Sequence, residues 1–204
     1  WVEQGYMYFC SQHPIRNLDD LKSRRIWLWQ GDELGAAIFQ SRDLSPVPLS
    51  VTDVFTSLST GLIDTVYCTP LSAVALQWFT KVKYATEVPM LNGIGGLVVS
   101  DRFFEKLPPD LQAILTETGR ETGEKLVAAT RVDNANSVSV LKKEGIEFLM
   151  PDNAVDKTER ARMLEQSAAE MAASGYIPAT VYRQTIELLR KFRSQRAAVT
   201  AGGG

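Results

Sequence analysis

The order of apolar and polar positions predicts a chain in which strands and helices mostly alternate. Period-2 patterns or short apolar runs predict strands at residues 2–10, 24–30, 46–49, 63–67, 91–100 and 146–150. Helical spacing predicts a short turn of helix at 19–22 and longer helices at 33–40, 54–60, 70–79, 108–143, 154–174 and 178–195. This order, with the helices last, favours an α/β architecture built on a parallel or mixed sheet.

Ser50 and Asp53 have capping-box character, because an acidic residue follows a hydroxyl residue three positions later. The helix that they open is expected to turn Val54, Phe55 and Leu58 inward.

Residues 57–79 are the most informative stretch. Gly61 is a natural helix stop, and Thr69 followed by Pro70 predicts the N-cap and first position of a new helix. The strand between them places Tyr67 and Thr69 at its carboxyl end, where open α/β sheets present side chains to ligands. The stretch therefore indicates binding rather than catalysis.

Two segments suggest a molecule with a hinge. Residues 91–100 begin glycine-rich and end β-branched, which is typical of a strand that bends or is approached closely. The predicted helix at 108–143 has apolar stripes at its ends and a middle, TETGRETGEK, that is polar on every side. Such a helix suits a connection between two lobes.

Composition describes an ordinary soluble globular protein. The chain has 204 residues, 45% of them hydrophobic and 23% charged, with a formal net charge of -2. That charge provides no field to attract nucleic acid or an anionic membrane surface. The sequence contains neither an apolar run long enough to span a bilayer nor a signal peptide. Because it starts at Trp1 in the middle of a pattern, we expect that a segment precedes it, with an export signal.

Cys10 and Cys68 are the two cysteines, and their separation fits no metal or redox motif. Buried thiols are one interpretation and a disulfide is the other. His13 is the single histidine and lies in a turn-like segment. The sequence therefore contains few of the residues that a zinc cluster or a Ser-His-Asp triad requires. We expect neither a cofactor nor a metal, and no enzyme activity, since a nucleophile elbow and a phosphate loop are missing too.

Several segments together resemble the solute-binding subunits of the TRAP family, the tripartite ATP-independent periplasmic transporters. The segments are NLDDLKSRRIWL at 17–28, PVPLSVTDVFTSLSTGLIDTVYCTPLSA at 46–73, LVVSDRFFEKLPPDLQAIL at 97–115 and LKKEGIEFLMP at 141–151. The resemblance implies a type II periplasmic-binding-protein fold whose two lobes close on a small organic acid. It also implies a periplasmic location and membrane permease subunits as partners.

The resemblance implies an incomplete first lobe. Residues 12–94 and 144–195 would form the second lobe. Residues 1–11 and 95–143 would be hinge strands, a lobe-bridging helix and a remnant of the first lobe. Residues 196–204 would be a disordered tail.

The resemblance also identifies candidate ligand-binding residues. Relatives usually carry an arginine where this chain has Trp27, within a Trp-x-Trp-x-Gly-Asp run typical of one subgroup. Trp27 would line the cleft and stack on an apolar or aromatic part of the solute, with Trp29 on the same strand side but at a depth that alternation leaves open. Core packing is the alternative for both rings. Arg25 shares their face and could replace the missing cation.

The other candidates are Tyr67 and Thr69 before the proline, Asn92 and Gly93 at the start of the hinge strand, and Met7. Met7 lies where some relatives carry a second arginine, so the solute could be less acidic than usual. Their alternatives are structural: a buried phenol for Tyr67, helix capping for Thr69 and a turn role for Asn92. Asp32 is expected to cap the helix at 33–40.

We therefore predict the extracytoplasmic solute-binding subunit of a TRAP-type secondary importer. Its partners would be a small-molecule solute and the membrane subunits, without nucleic acid, and the chain would be a monomer or a dimer. A ligand-sensing domain of the same fold is the first alternative, and an α/β enzyme the second.

Overall fold

The structure is a computed structural model that describes residues 1–150, 165–166 and 168–201. The chain separates into two compact units, Trp1–Asn153 and Ala154–Gly204. The strands of the first unit are β1 (Val2–Ser11), β2 (Trp27–Trp29), β3 (Val47–Leu49), β4 (Thr65–Cys68), β5 (Tyr84–Thr86), β6 (Leu91–Gly95) and β7 (Glu147–Leu149). Its helices are α1 (Leu18–Lys22), α2 (Glu33–Gln40), α3 (Val54–Thr60), α4 (Pro70–Ala75), α5 (Asp101–Phe104) and α6 (Pro109–Lys143), with single 3-10 turns at Val51–Asp53 and Trp78–Lys81.

A mixed sheet organises the first unit. Neighbouring strands follow the order β4, β1, β5 and β7; β1 runs antiparallel to β4 and β5, whereas β5 and β7 are parallel. The parallel pair of β2 and β3 joins this sheet through a bridge between Ile26 and Thr65. Both kinds of pairing are present, which confirms the predicted α/β class with a mixed sheet.

β1 pairs with different partners along its length. Residues 8–11 lie in the sheet beside β4, while residues 2–7 pair antiparallel with β6. The register with β6 shifts between Glu3 and Gly5, and Gly5 has a φ of +107° that favours glycine. The first half of β1 therefore leaves the sheet as a ribbon with β6.

The core lies between this sheet and the helices that cover it. Its most deeply buried side chains are Ile26, Val54, Leu58, Ile63, Val66 and Leu141. They come from several elements far apart in sequence, so the unit holds one shared hydrophobic cluster.

The capping box predicted at Ser50 and Asp53 is wrong: neither side chain caps a backbone N–H, because Ser50 Oγ donates to Asp53 Oδ2 at 2.7 Å. Three other capping signals agree with the helix ends. Asp32 caps α2 by accepting from the Gly35 N–H at 2.8 Å, and Gly61 ends α3 in the left-handed conformation at φ 75°. Thr69 caps α4, with Pro70 at its first turn. Helix α6 covers the predicted segment to within one residue at its start.

Three predictions about the first unit are wrong in part. Phe55 is exposed rather than inward, with the Lys81 ammonium 4.9 Å from its ring centroid. The helix from Pro70 ends at Ala75, because Gln77 takes a positive φ of 57° and starts a separate 3-10 turn. The strand at 91–100 ends at Gly95, since residues 96–100 pair with no strand among those that the structure describes.

In the second unit, residues 165–166 and 168–173 are helical, and α7 spans Ala179–Ala201. Arg193 donates to Glu165 at 2.6 Å. Most of the helix predicted at 154–174 lies outside the described residues. Helix α7 continues past the predicted end at residue 195, through the first part of the segment expected to be a disordered tail.

Candidate ligand-binding site

An aromatic cluster forms where Trp27, the first residue of β2, meets Tyr67 near the carboxyl end of β4. The Trp27 ring stacks on Tyr67 with centroids 5.3 Å apart and meets Trp78 edge-on at 5.3 Å. Phe39 of α2 approaches Tyr67 at 5.8 Å. The Trp27 indole N–H donates to the Leu49 carbonyl at 3.0 Å, so β3 fixes the ring's orientation. We call these four rings the aromatic cluster.

The Tyr67 hydroxyl has two partners at the end of β2. It donates to Asp32 Oδ2 at 2.9 Å and accepts from the Trp29 backbone N–H at 3.2 Å. Burial raises the pKa of Tyr67 far above its ordinary value, and the Asp32 carboxylate raises it further, against the lowering effect of the Trp29 N–H. The phenol therefore stays protonated and holds the start of α2 against β4.

The two tryptophans of β2 differ in depth. Trp27 is 5% exposed, whereas Trp29 is 55% exposed. Alternation puts both on one side of the strand, but Tyr67 and Trp78 cover only the first ring. For Trp27 the structure shows core packing, and Trp29 presents the accessible indole at this end of the sheet.

Arg25 is engaged away from the cluster. Its guanidinium contacts Asp64 at 3.1 Å, and its backbone N–H donates to the same carboxylate at 3.1 Å. The Asp64 side chain is 2% exposed, and Thr65 Oγ1 also donates to it at 2.9 Å. A buried carboxylate needs such partners, so Arg25 has a structural role at the start of β2.

Thr69 is buried and serves as a cap. Its Oγ1 accepts from the Ser72 N–H at 3.1 Å and donates to Ser72 Oγ at 2.9 Å. The hydroxyl therefore uses its one donor within the first turn of α4.

The remaining candidates lie on the ribbon of β1 and β6. Met7 pairs with Leu91 and packs against the core. The Met7 side chain lies against Gly93, where no larger residue would fit: a Cβ at position 93 would come within 2.6 Å of Met7 Cε. Asn92 donates to Glu3 Oε1 at 3.1 Å. These residues are separate from the aromatic cluster, although alternation puts Met7 on the same face of β1 as Phe9, whose ring lies 6.4 Å from Phe39.

A concave region lies on the other face of β1, against α6. It is a cavity of about 310 Å³ lined by Glu3, Gly5, Tyr6, Tyr8, Pro70, Arg131, Asn134, Ala135 and Val138. Arg131 contacts Glu3 at 2.7 Å, and Asn134 donates to the Gln4 carbonyl at 3.0 Å. The Arg131 and Asn92 hydrogen bonds hold the pKa of Glu3 below its ordinary value.

Sequence reasoning missed Phe39 and Trp78 as members of the cluster, and it missed the Glu3–Arg131 link. The only signal for the two rings was their aromatic type within helical patterns. Nothing in local spacing shows that Glu3 meets a residue 128 positions later.

Membrane insertion and metal binding have no structural support within the part of the chain that the structure describes. There, no helix combines the length and apolarity needed to cross a bilayer. No three residues of the types His, Cys, Asp and Glu come together there as a metal site would require.

The mixed sheet and its helices match the type II periplasmic-binding fold of solved TRAP periplasmic solute-binding proteins. The model of one family, DctP, described as bacterial extracellular solute-binding protein, family 7, matches residues 1–174. The chain belongs to this family.

Named relatives agree with this assignment. A solute-binding protein of Sulfitobacter sp. (strain NAS-14.1) is 28% identical over 119 residues, which are 58% of this chain and 36% of the relative. A crystal structure of a TRAP periplasmic solute-binding protein from Pseudomonas putida F1, with bound D-glucuronate, is 25% identical with a TM-score of 0.70. The match covers 84% of this chain and 56% of that one.

A TRAP periplasmic solute-binding protein from Desulfovibrio salexigens, with bound orotic acid, superposes with a TM-score of 0.76 over 95% of this chain and 61% of that one. Its 18% identity shows the shared fold alone. The chain thus spans little more than half the length of these solved relatives and about a third of the curated one. Membership in a family of solute-binding proteins agrees with the expectation that the chain is not an enzyme.

Proposed function

We propose that this chain is part of the extracytoplasmic solute-binding subunit of a TRAP-type secondary importer. In this proposal, it binds a small organic acid or a related solute by lobe closure and delivers the solute to membrane subunits. The observation that carries the proposal is the family match over residues 1–174. The glucuronate-bound relative from Pseudomonas putida supports an acid as the solute class.

The lobe assignment is also part of the proposal. Residues 12–94 would belong to one lobe, and residues 1–11 and 95–143 would be hinge strands, the bridging helix and a remnant of the other. The pairing of β1 supports this assignment. One part of the strand pairs with β4 in the sheet and the other part leaves the sheet to pair with β6, as a strand that connects two lobes would. The assignment of residues 144–195 to the first of these lobes stays a prediction.

Within the proposed cleft, Trp29 would make the direct contact with the solute. Its ring is exposed at the carboxyl end of β2, and its backbone N–H donates to the Tyr67 hydroxyl at 3.2 Å. The other predicted contacts, Thr69, Asn92, Gly93, Met7 and Arg25, are engaged with their neighbours in this structure. They would shape the wall rather than grip the solute.

The cleft wall that we propose around Trp29 would bind an aromatic or apolar surface of a solute better than a charged group. The family resemblance implies a cation where this chain has Trp27, and Arg25 is paired with the buried Asp64. An indole ring can stack on a planar solute or cover the apolar face of a sugar acid. Any carboxylate of the solute would then be bound by groups outside this wall.

A thermal-shift screen of the full-length protein tests the proposal. The panel is D-glucuronate, D-galacturonate, orotate, aromatic carboxylic acids and amino acids. A solute that binds only the native state at 100 times its Kd stabilises it by about 2.7 kcal/mol and raises Tm. Small-angle X-ray scattering should then show a smaller radius of gyration with the same solute, as lobe closure requires.

The variant Trp29→Ala is the site control, and it should weaken the binding of the solute found in the screen. Uptake of that solute into vesicles carrying the membrane subunits should depend on the added protein. If no class of solute raises Tm, or if the bound solute is chemically converted, the binding-subunit proposal is wrong.

A further inference from the structure

The two cysteines of the chain meet inside the first unit. Cys10 is on β1 and Cys68 is the last residue of β4, and each is 4% exposed. Their sulfur atoms are 3.8 Å apart although the residues are 58 positions apart in sequence. The sequence left open whether these thiols pair, and the fold brings them into contact.

The strand register explains why they meet. Tyr8 lies opposite Cys68 and Cys10 lies opposite Val66, so the cysteines are diagonal neighbours on one face of an antiparallel pair. The 3.8 Å contact between the sulfur atoms shows that both thiols occupy the same buried space. A disulfide requires an S–S distance of about 2.05 Å, so the sulfurs need to approach by less than about 2 Å.

We propose that Cys10 and Cys68 form a disulfide when the protein folds in an oxidising compartment. The bond would join β1, which leaves the sheet as the ribbon, to β4, which carries Tyr67 of the aromatic cluster. It would close the loop that contains α1, β2, α2, β3 and α3. An oxidising setting follows from the extracytoplasmic location, so this part rests on the proposed function.

The bond forms by two exchange steps with a disulfide-containing oxidant, which is a dithiol–disulfide oxidase in the cell or glutathione disulfide in vitro. One cysteine thiolate attacks the oxidant's disulfide, forms a mixed disulfide and releases one oxidant thiolate. The second cysteine thiolate attacks the protein sulfur of that mixed disulfide and displaces the other oxidant thiolate. Two protein thiols are oxidised, one oxidant disulfide is reduced, and the two protons pass to the released thiols.

The reaction belongs to folding and not to the finished structure. The contact with Cys10 and burial raise the pKa of the Cys68 thiol, which disfavours the attacking thiolate in the native state. Burial also denies access to a bulky oxidant. Oxidation therefore occurs while β1 and β4 are still pairing.

The experiment refolds the full-length protein with its own sequence from denaturant, once in a glutathione disulfide–glutathione buffer and once in excess reductant. Free thiols are then alkylated under denaturing conditions and counted by mass spectrometry. We expect Cys10 and Cys68 to be unalkylated in the first sample and alkylated in the second, with a linked peptide pair containing both residues in the first. Alkylation of both residues after oxidative refolding would overturn the proposal.

The matched control is the variant Cys10→Ala/Cys68→Ala. Oxidised wild type should unfold at a Tm higher than reduced wild type by about 5–15 °C, because the bond constrains a long loop in the unfolded chain. The control should show the same Tm with and without reductant. Equal Tm values for oxidised and reduced wild type would show that no stabilising bond has formed.

The same alkylation experiment on protein recovered from the oxidising compartment of the producing cell tests the bond in vivo, where we expect Cys10 and Cys68 to be unalkylated. Free thiols there, together with a bond after refolding in glutathione buffer, would overturn the proposed use of the bond in the cell. Failure to bind any solute would leave the thiol counts unchanged. The two proposals therefore fail by different measurements.

Discussion

At the scale of single residues, the candidate site is a set of polar atoms and rings whose partners are mostly internal. The Tyr67 hydroxyl joins Asp32 to the backbone of Trp29, and the Trp27 indole is bonded to β3. The sequence predicted the capping roles of Asp32 and Thr69 from local chemistry. It did not predict that Trp27 is covered and Trp29 is open, because the covering rings come from other elements.

Alanine substitution of the two tryptophans of β2 should affect different properties: stability at Trp27 and solute binding at Trp29. Trp27→Ala removes a buried ring and should cost about 3–5 kcal/mol of the free energy of unfolding in urea. Trp29→Ala removes an exposed ring and should change that free energy by less than about 0.5 kcal/mol while weakening solute binding. Equal loss of stability in the two variants would contradict the difference in burial.

Tyr67→Phe tests the hydroxyl that joins β4 to the start of α2. The variant leaves Asp32 Oδ2 and the Trp29 N–H without this partner, so we expect a loss of about 1–3 kcal/mol in the free energy of unfolding. Tyr8→Phe is the control, since no hydrogen bond of its hydroxyl is seen among the described residues. If both variants lost the same amount, the Tyr67 hydrogen bonds would not be stabilising.

At the scale of elements, the long helix α6 and the ribbon of β1 and β6 are the segments to which the hinge prediction refers. The sequence predicted the length of α6 from its pattern, although its middle is polar on every side. Two glycines in that middle differ in surroundings. An added Cβ at Gly119 meets no atom within 4 Å, whereas at Gly123 it would lie 2.9 Å from the carbonyl oxygen of Trp1.

Substituting each of these glycines with alanine should separate helix propensity from packing. Gly119→Ala should raise the free energy of unfolding by about 0.5–1 kcal/mol, because alanine favours the helix and nothing obstructs it. Gly123→Ala should show no gain or a loss, because the start of β1 packs against this position. Thermal unfolding measures both, and an equal gain in the two variants would show that β1 does not approach α6 here.

At the scale of the whole first unit, contacts distant in sequence connect the ribbon to α6. Arg131 binds Glu3, which also accepts from Asn92 of β6, and Asn134 accepts from the Leu71 N–H at 3.1 Å at the start of α4. These contacts join β1, β6, α4 and α6. Local sequence patterns contain no information about them, because they depend on how the elements pack.

The Glu3–Arg131 pair predicts part of the pH dependence of stability. Arg131 and Asn92 lower the pKa of Glu3 in the folded state below its pKa in the unfolded state. The contribution of Glu3 to the free energy of unfolding is therefore present above the unfolded pKa and is lost as pH falls through the folded pKa. We expect wild type to lose more stability than Glu3→Gln between about pH 5 and pH 3. Urea unfolding across this range measures the difference, and Arg131→Met should remove the same part of the dependence. Parallel curves for wild type and Glu3→Gln would contradict the pair's contribution.

The sequence missed β5, which lies between β1 and β7 in the sheet, and the short helix α5. By itself it determined the other strands and helices in their order, the caps at Asp32 and Thr69, and the family. These follow from periodicity and from residues such as Gly61, Thr69 and Pro70, whose preferences are local. It failed where a boundary depends on a partner: the strand from Leu91 stops at Gly95, where the pairing with β1 ends.

Only the tertiary structure decided which side chains of these elements meet. It covered Trp27 and exposed Trp29, paired Arg25 with Asp64, and brought Cys10 and Cys68 to 3.8 Å. Alternation along a strand sets the side of each residue, but the depth of a side chain depends on what distant segments pack over that side. That packing is a property of the assembled unit and cannot be read from neighbours in the chain.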